Sequence, residues 1–284
     1  MSQAKKILVL GATGNTGGAL VQLLKASGTP LRTAARGELA GSPDHVRFVW
    51  DDRRTHGPAV AGVERLYLVA PVGAADPPPL VKPFLAEALA GGLQRVVLLS
   101  SSAVKPGDPG LGQIDALVRA TVPEWAILRP SWFMQNFVGD HPLADGIRSR
   151  GEIVTATGDG RLPFVDARDI AATAAALLRA DSIVCSEHLV TGPQALSYAD
   201  AAALVSEMMG RPVRHVAITE EALTQRLITA GYEAAFASAL AGLDADIRAG
   251  RQAQITDTVQ RLTGQPPRSL RDFIAEHREL LDGA

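Results

Sequence analysis

The sequence predicts an α/β protein: a doubly wound parallel sheet with a smaller, mostly helical C-terminal lobe. Three observations carry that expectation. Residues 7–17 read ILVLGATGNTG, an apolar run and then three glycines (Gly11, Gly14, Gly17) at G-x-x-G-x-x-G spacing. Strand-like and helix-like segments then alternate through the first half, as parallel strands joined by crossover helices require. After about residue 135 the alternation gives way to helical patterning.

The elements follow in order. Residues 6–10 form the first strand, and Ala19, Leu20, Leu23 and Leu24 recur at helical intervals, which places a helix at 15–27. It stops at Ser27-Gly28-Thr29-Pro30, where glycine suits the cap and proline cannot continue. Further strands are expected at 31–36, 46–50, 65–70, 94–100 and 124–129, with helices at 79–91 and 111–121. Residues 71–79, PVGAADPPP, read as a loop at the C-terminal edge of the sheet, because proline lacks a donor and restrains its predecessor. In the second half, helices are expected at 168–180, 197–210, 219–230, 232–249 and 269–280. Extended pieces are expected there at 151–155, 186–190 and 213–217. The organisation predicts a nucleotide-binding domain over 1–135 and a substrate lobe over 136–284, interleaved with the last strands of the sheet.

Composition narrows the function. With 28 basic and 30 acidic residues the net charge is −2, and no basic cluster offers a surface to nucleic acid or an anionic membrane. Cys185 is the sole cysteine, which excludes an intramolecular disulfide and a multi-cysteine metal site and suits a reducing compartment. No apolar run approaches the ~18 residues of a spanning helix, and the N-terminus lacks a secretory pattern. A cytoplasmic protein with a small-molecule substrate is expected, without nucleic-acid or membrane partners; a homodimer stays open.

Strand, glycine turn and helix together form a dinucleotide-binding signature. Glycines let backbone amides approach a pyrophosphate, and a helix N-terminus offers unpaired donors and a positive dipole end. Gly11, Thr13, Gly14, Asn15, Thr16 and Gly17 are the candidate phosphate-binding residues. The second strand selects the cofactor. It ends on Arg36, where NAD-binding versions carry an acidic residue for the ribose 2′-hydroxyl; a guanidinium suits a 2′-phosphate. NADPH is therefore favoured over NADH, for which Glu38 would hold the ribose. Thr33 and Asn15 are auxiliary phosphate candidates. Asp51 and Asp52 either accept from an adenine amino group or serve as turn residues. Ala70, Pro71 and Val72 after the fourth strand, Ser100 to Ser102 after the fifth, and Pro130 after the sixth stand where ribose and nicotinamide should lie, although turn formation is an equally simple use of the serines.

The chemistry shows a gap. Tyr-x-x-x-Lys, in which lysine lowers the tyrosine pKa for proton donation, is absent: no lysine follows Tyr67, Tyr198 or Tyr232 by four. The two positions would fall near Gly107 and Leu111. His141 and Ser101 are the remaining catalytic candidates, and helix entry is the simpler reading of His141. Asp166 and Asp169 fit capping and first-turn charge for the helix at 168–180. The segment 130–137, PSWFMQNF, sets large apolar groups beside two amides, the make-up of a small-molecule site. Trp132 and Phe133 are placed near the nicotinamide, Gln135 or Asn136 as a polar contact, and Phe164 across the cleft. No metal-ligand spacing among the histidines and no Gly-x-Ser-x-Gly elbow is present. No metal is expected.

GATGNTG, LLSSSAV at 98–104, RPSWFMQNF at 129–137 and GDGRLPFVDARDIA at 158–171 occur in that order along the chain. Together they resemble the NmrA-like atypical short-chain dehydrogenase/reductase family. The stretch from Gly112-Gln113 through WFMQNF is similar to its ergot-alkaloid reductase branch, the agroclavine and festuclavine dehydrogenase-like proteins. The resemblance implies a Rossmann-type fold, NADPH at the glycine turn and a substrate cleft between sheet and lobe. It also implies an oxidoreductase of biosynthetic metabolism that passes hydride to an imine or iminium, a quinone or an activated carbonyl. Such acceptors need no dedicated acid. The alternative it implies is an NADP(H)-binding redox sensor without turnover.

Overall fold

The computed structural model describes residues 5–37, 43–71, 74 and 76–281. Glu38 and Val72 lie outside them. The first stretch of chain contains β1 (Ile7–Leu10), α1 (Asn15–Ala26), β2 (Leu31–Ala35), β3 (His45–Arg47), α2 (His56–Val60) and β4 (Arg65–Val69). It continues through α3 (Pro78–Ala90), β5 (Arg95–Leu99), α4 (Leu111–Thr121) and β6 (Glu124–Pro130). Next come α5 (Pro142–Arg150), β7 (Glu152–Thr155), β8 (Arg161–Leu162), α6 (Ala167–Arg179), β9 (Ser186–Val190), β10 (Leu196–Ser197), α7 (Tyr198–Met209) and β11 (Arg214–Ala217). The last elements are α8 (Glu220–Thr229), α9 (Ala234–Arg248), α10 (Thr258–Thr263) and α11 (Leu270–Glu276).

The chain divides into two units. The first comprises Met1–Pro130, Ala167–Val190 and Thr258–Gln265. Its seven strands run in the order β3-β2-β1-β4-β5-β6-β9, all parallel. β1 is buried on both faces, with all four residues at 1% exposure or less, so it reads as a continuous apolar run rather than an alternation. Leu8, Leu10, Leu66, Leu68, Val96 and Leu98 pack with Phe84, Leu85, Ile114 and Val118 of α3 and α4. α1 and α6 pack against each other. The order of strands reverses between β1 and β4, the switch point beside which open α/β sheets bind ligands.

Two buried arginines hold the end of α6. Arg95, fully buried at the start of β5, donates from Nη1 to the carbonyls of Leu177 at 2.8 Å and Ala180 at 2.6 Å. Its Nε donates to Glu124 at 2.7 Å. Arg65, at the start of β4, donates to the Leu178 carbonyl. Cations at a helix C-terminus meet both the orphan carbonyls and the negative end of the dipole.

The second unit comprises Ser131–Asp166, Thr191–Asp257 and Pro266–Ala284. Met134, Phe137, Ile147, Ile153, Phe164, Tyr198, Val205, Phe273 and Ile274 form its core. β7 and β11 pair in parallel, and β8 and β10 antiparallel. α7 opens on a capping box between Ser197 and Asp200.

The structure departs from sequence expectation in several places. The third strand stops at Arg47 instead of reaching residue 50. Phe48 and Trp50 turn instead into a cluster with His56 and Phe84, with ring centroids 4.9 to 6.1 Å apart. The extended piece at 186–190 is the seventh strand of the main sheet, beside β6. α5 and α10 were not expected, since α5 carries a glycine and few apolar residues to mark its period. The first unit's opening segment ends at Pro130, five residues before the expected boundary, and two later segments rejoin it. Among the described residues no helix is long and apolar enough to cross a membrane.

Candidate functional site

The site begins where β1 runs into α1. Gly11 takes a left-handed φ of +65°, which turns the chain at no steric cost. Gly14 donates to the Gly11 carbonyl at 2.9 Å and is the N-cap of α1, with no side chain to satisfy the helix amides. Gly18 takes the Gly14 carbonyl at 2.8 Å, so the amides of Asn15, Thr16 and Gly17 have no acceptor within the helix. A Cβ on Gly17 would lie 2.1 Å from the Gly11 carbonyl oxygen, so only glycine permits this approach of helix to strand. The first turn of α1 carries no acidic residue, and Gly11, Thr13, Gly14 and Asn15 are exposed. Bare amides at a positive helix end form a cradle for an anion.

Thr16 joins that cradle through its backbone only. Its side chain is buried and its hydroxyl accepts from the Tyr67 hydroxyl at 3.0 Å. Burial pushes Tyr67 far above the ordinary tyrosine range, so it remains a donor.

Arg36 follows directly after β2. It is exposed and makes no hydrogen bond or ion pair with another described residue. The turn beyond it is pinned. His45 Nε2 lies 2.8 Å from the Gly37 carbonyl, and His45 Nδ1 lies 3.0 Å from Thr33 Oγ1. A carbonyl only accepts, so Nε2 carries the proton and Nδ1 accepts from the threonine. Thr33 is fully buried and spent on this link, which corrects its expected role as a phosphate contact.

The two aspartates after β3 separate clearly. Asp52 accepts from the Arg54 backbone amide at 3.2 Å and from its guanidinium at 2.8 and 3.0 Å. The Arg54 guanidinium holds its carboxyl below the usual range. Asp52 is thereby a local cap. Asp51 is exposed, with no partner among the described residues, and so keeps its carboxylate available to a ligand.

At the other strand ends, Ala70 and Pro71 are half-buried. The Ser100 amide donates to the Leu128 carbonyl at 2.8 Å, while its buried hydroxyl finds no partner among the described residues. Ser101 Oγ accepts from the Ala103 amide at 3.2 Å, the turn use that the sequence also allows for these serines. Pro130 is buried at the end of β6, and its carbonyl accepts from Ser102 N at 3.0 Å. Sequence reasoning missed Arg129, whose guanidinium braces the turn after β5. Its partners come from three other elements, so no local pattern announces it.

In the second unit, Trp132, Phe133, Gln135 and Asn136 are half-buried, whereas Met134 and Phe137 belong to the core. The segment is held to residue 165 by Met134 N to Val165 O and Val165 N to Trp132 O, both 2.9 Å. Gln135 Nε2 donates to the fully buried Asp166 at 3.0 Å. Asp169 stands in the first turn of α6, as expected. Phe164 is 2% exposed, with its ring 5.1 Å from Phe137 and 5.2 Å from Tyr198. It is a packing residue rather than a cleft wall. His141 is the N-cap of α5, where its Nδ1 accepts from Leu143 N at 3.2 Å. Burial lowers its pKa, and the cap is the helix-entry role that the sequence favours over proton donation. Among the described residues no cluster of metal-binding side chains occurs.

No family model matches the chain. It is 42% identical over 280 residues to YesF, an uncharacterised oxidoreductase of Bacillus subtilis, covering 98% of this chain and 96% of that protein. It is 35% identical over 286 residues to festuclavine synthase II of Penicillium roqueforti, covering 96% and 98% respectively. The structure of an NADPH-dependent quinone oxidoreductase from Escherichia coli, solved with NADPH, superposes with a TM-score of 0.81 at 21% identity. That match covers 95% of this chain and 99% of the other, a likeness of fold.

Proposed function

The chain belongs to the NmrA-like atypical short-chain dehydrogenase/reductase family, and from that premise we propose an NADPH-dependent oxidoreductase acting on a small organic acceptor. The acceptor class is an imine or iminium, a quinone or an activated carbonyl. The observation that carries the reading is Arg36, an exposed guanidinium without a described partner, beside a helix N-terminus whose amides are bare.

These residues fit the dinucleotide. The amides of Asn15, Thr16 and Gly17, with Gly11, Thr13 and Gly14, would hold the diphosphate. Arg36 would hold the 2′-phosphate, Asp51 the adenine amino group, and Ala70, Pro71, Ser100 and Pro130 would flank the ribose and nicotinamide. Bound NADPH supplies hydride to the acceptor.

The chain's own contribution is orientation. Tyr67 and Tyr198 are buried and pushed above the ordinary tyrosine range, and neither precedes a lysine by four, so neither serves as an acid. An iminium carbon is already electrophilic and its product nitrogen needs no proton in the step. Placement of the reactants alone can lower a barrier by on the order of 7–11 kcal/mol. Trp132, Phe133, Gln135 and Asn136 are proposed to contact the acceptor. The festuclavine synthase name supports a small organic molecule as the acceptor.

Two measurements test the reading. NADPH titration by fluorescence should show saturable binding, and Arg36→Ala should weaken NADPH roughly 10- to 100-fold while leaving NADH nearly unchanged. Absorbance at 340 nm with a panel of iminium, quinone and carbonyl acceptors should show NADPH consumption. Binding without consumption for every acceptor would replace the enzyme with a redox sensor. Absence of binding would remove both.

A further inference from the structure

Arg129, near the end of β6, is 7% exposed and spends its guanidinium in three directions. Nη1 donates to the Val104 carbonyl and, at 3.4 Å, to that of Ser101. Nη2 donates to Asp115 Oδ2 at 2.6 Å, and Nε donates to Glu187 Oε2 at 3.1 Å. Asp115, on α4, is fully buried and also accepts from Arg119 Nε. Arg119 closes the ring by donating to Glu187 Oε2 at 2.7 Å, and its guanidinium lies 4.6 Å over the Trp125 ring. Two cations and two anions cancel, and each carboxylate serves both arginines.

The quartet ties α4, β6 and β9 to the turn that follows β5. The Arg129–Asp115 pair is buried, and buried ion pairs roughly break even against apolar packing of the same volume, so net stability does not account for it. Their consequence is fixed geometry. Here the fixed segment is 101–104, directly after Ser100, whose buried hydroxyl has no partner among the described residues. A lysine at 129 could not reproduce the brace, because an ammonium is a single point of donation and not a planar fork. The quartet also lies beside the gap in the chemistry: Asp115 is one helical turn beyond Leu111, where the missing lysine would fall.

We propose that Arg129, Asp115, Arg119 and Glu187 form a positioning device that locks the turn after β5 and holds the Ser100 hydroxyl ready for bound NADPH. The inference rests on the reading of this site as an NADPH site. Arg129 and Asp115 act through Ser100 and touch no ligand themselves.

The test uses the full chain as Arg129→Lys, Asp115→Asn, Ser100→Ala and the double variant Arg129→Lys/Ser100→Ala. Two readouts are taken, amide hydrogen exchange at 101–104 without cofactor and the dissociation constant for NADPH. Exchange at 101–104 should rise about tenfold or more in Arg129→Lys and Asp115→Asn but not in Ser100→Ala. Each single variant should weaken NADPH by roughly two- to tenfold. The double variant should be no weaker than the poorer single one, since both changes remove the same contact. Arg36→Ala, at an independent contact, should add fully to each. Additive losses in the double variant, or unchanged exchange at 101–104, would overturn the proposal. If Arg129→Lys fails to fold, Asp115→Asn with Ser100→Ala completes the same cycle. If both quartet variants fail to fold, the quartet is a folding element and the proposal falls. Wild-type protein that does not bind NADPH sinks the reading of the site itself, an outcome separate from additivity.

Discussion

A methyl group on Gly17 would sit 2.1 Å from the Gly11 carbonyl oxygen, so Gly17→Ala must push α1 away from β1. The displaced backbone should cost about 1–3 kcal/mol of stability and abolish measurable NADPH binding, read by urea unfolding and fluorescence titration. Such residues were legible because the demand is local: spacing alone states which position must be glycine. Arg36 is placed by an equally local signal, since it directly follows the second strand. Thr33 and Thr16 were not legible. Their hydroxyls are claimed by His45 and Tyr67, 12 and 51 residues away, and no window of sequence contains both partners.

Single elements show a similar division. α5 begins on the His141 cap, and burial lowers the pKa of His141 as it does for His188 and His215. A histidine held neutral in the folded state binds fewer protons there than in the unfolded chain. Its stabilising effect is therefore present above the unfolded value near 6.5 and is lost as pH falls towards the folded value. The melting temperature should drop between pH 7 and pH 5, and the drop should be smaller in His141→Asn, which keeps a capping acceptor without the titration. An unchanged pH dependence in that variant would reject the cap as a source. In the first unit, Arg95→Ala removes the donors to the Leu177 and Ala180 carbonyls at the end of α6 and leaves the half-exposed Glu124 without its arginine, with Arg65 still on Leu178. The expected loss is about 3–5 kcal/mol in urea unfolding. The strands carrying Arg65 and Arg95 were anticipated within a residue or so. Their burial was not, because a charged residue at a strand start usually meets water, and here a helix end covers them from 113 residues on for Arg65 and 82 for Arg95.

For the molecule as a whole, the alternation of strands and helices disclosed the sheet, but pairing order is a tertiary property that periodicity does not report. The piece at 186–190 reads as an isolated extended segment until its neighbour, β6, is seen. The same fact bears on dissection. A fragment ending at residue 135 would lack β9, α6 and α10, exposing the edge of β6 and one face of α1. Such a fragment should stay unfolded or aggregate, by circular dichroism and sedimentation, although it holds the entire glycine signature. A fragment that folded cooperatively and bound NADPH would contradict this.

The late arrival of β9 also matters while the protein is being made. Until Val190 clears the ribosomal exit tunnel, the nascent sheet presents a raw, ungrouped row of amides and carbonyls along β6. Synthesis of this chain therefore passes through an interval in which that rim has no strand of its own to cover it.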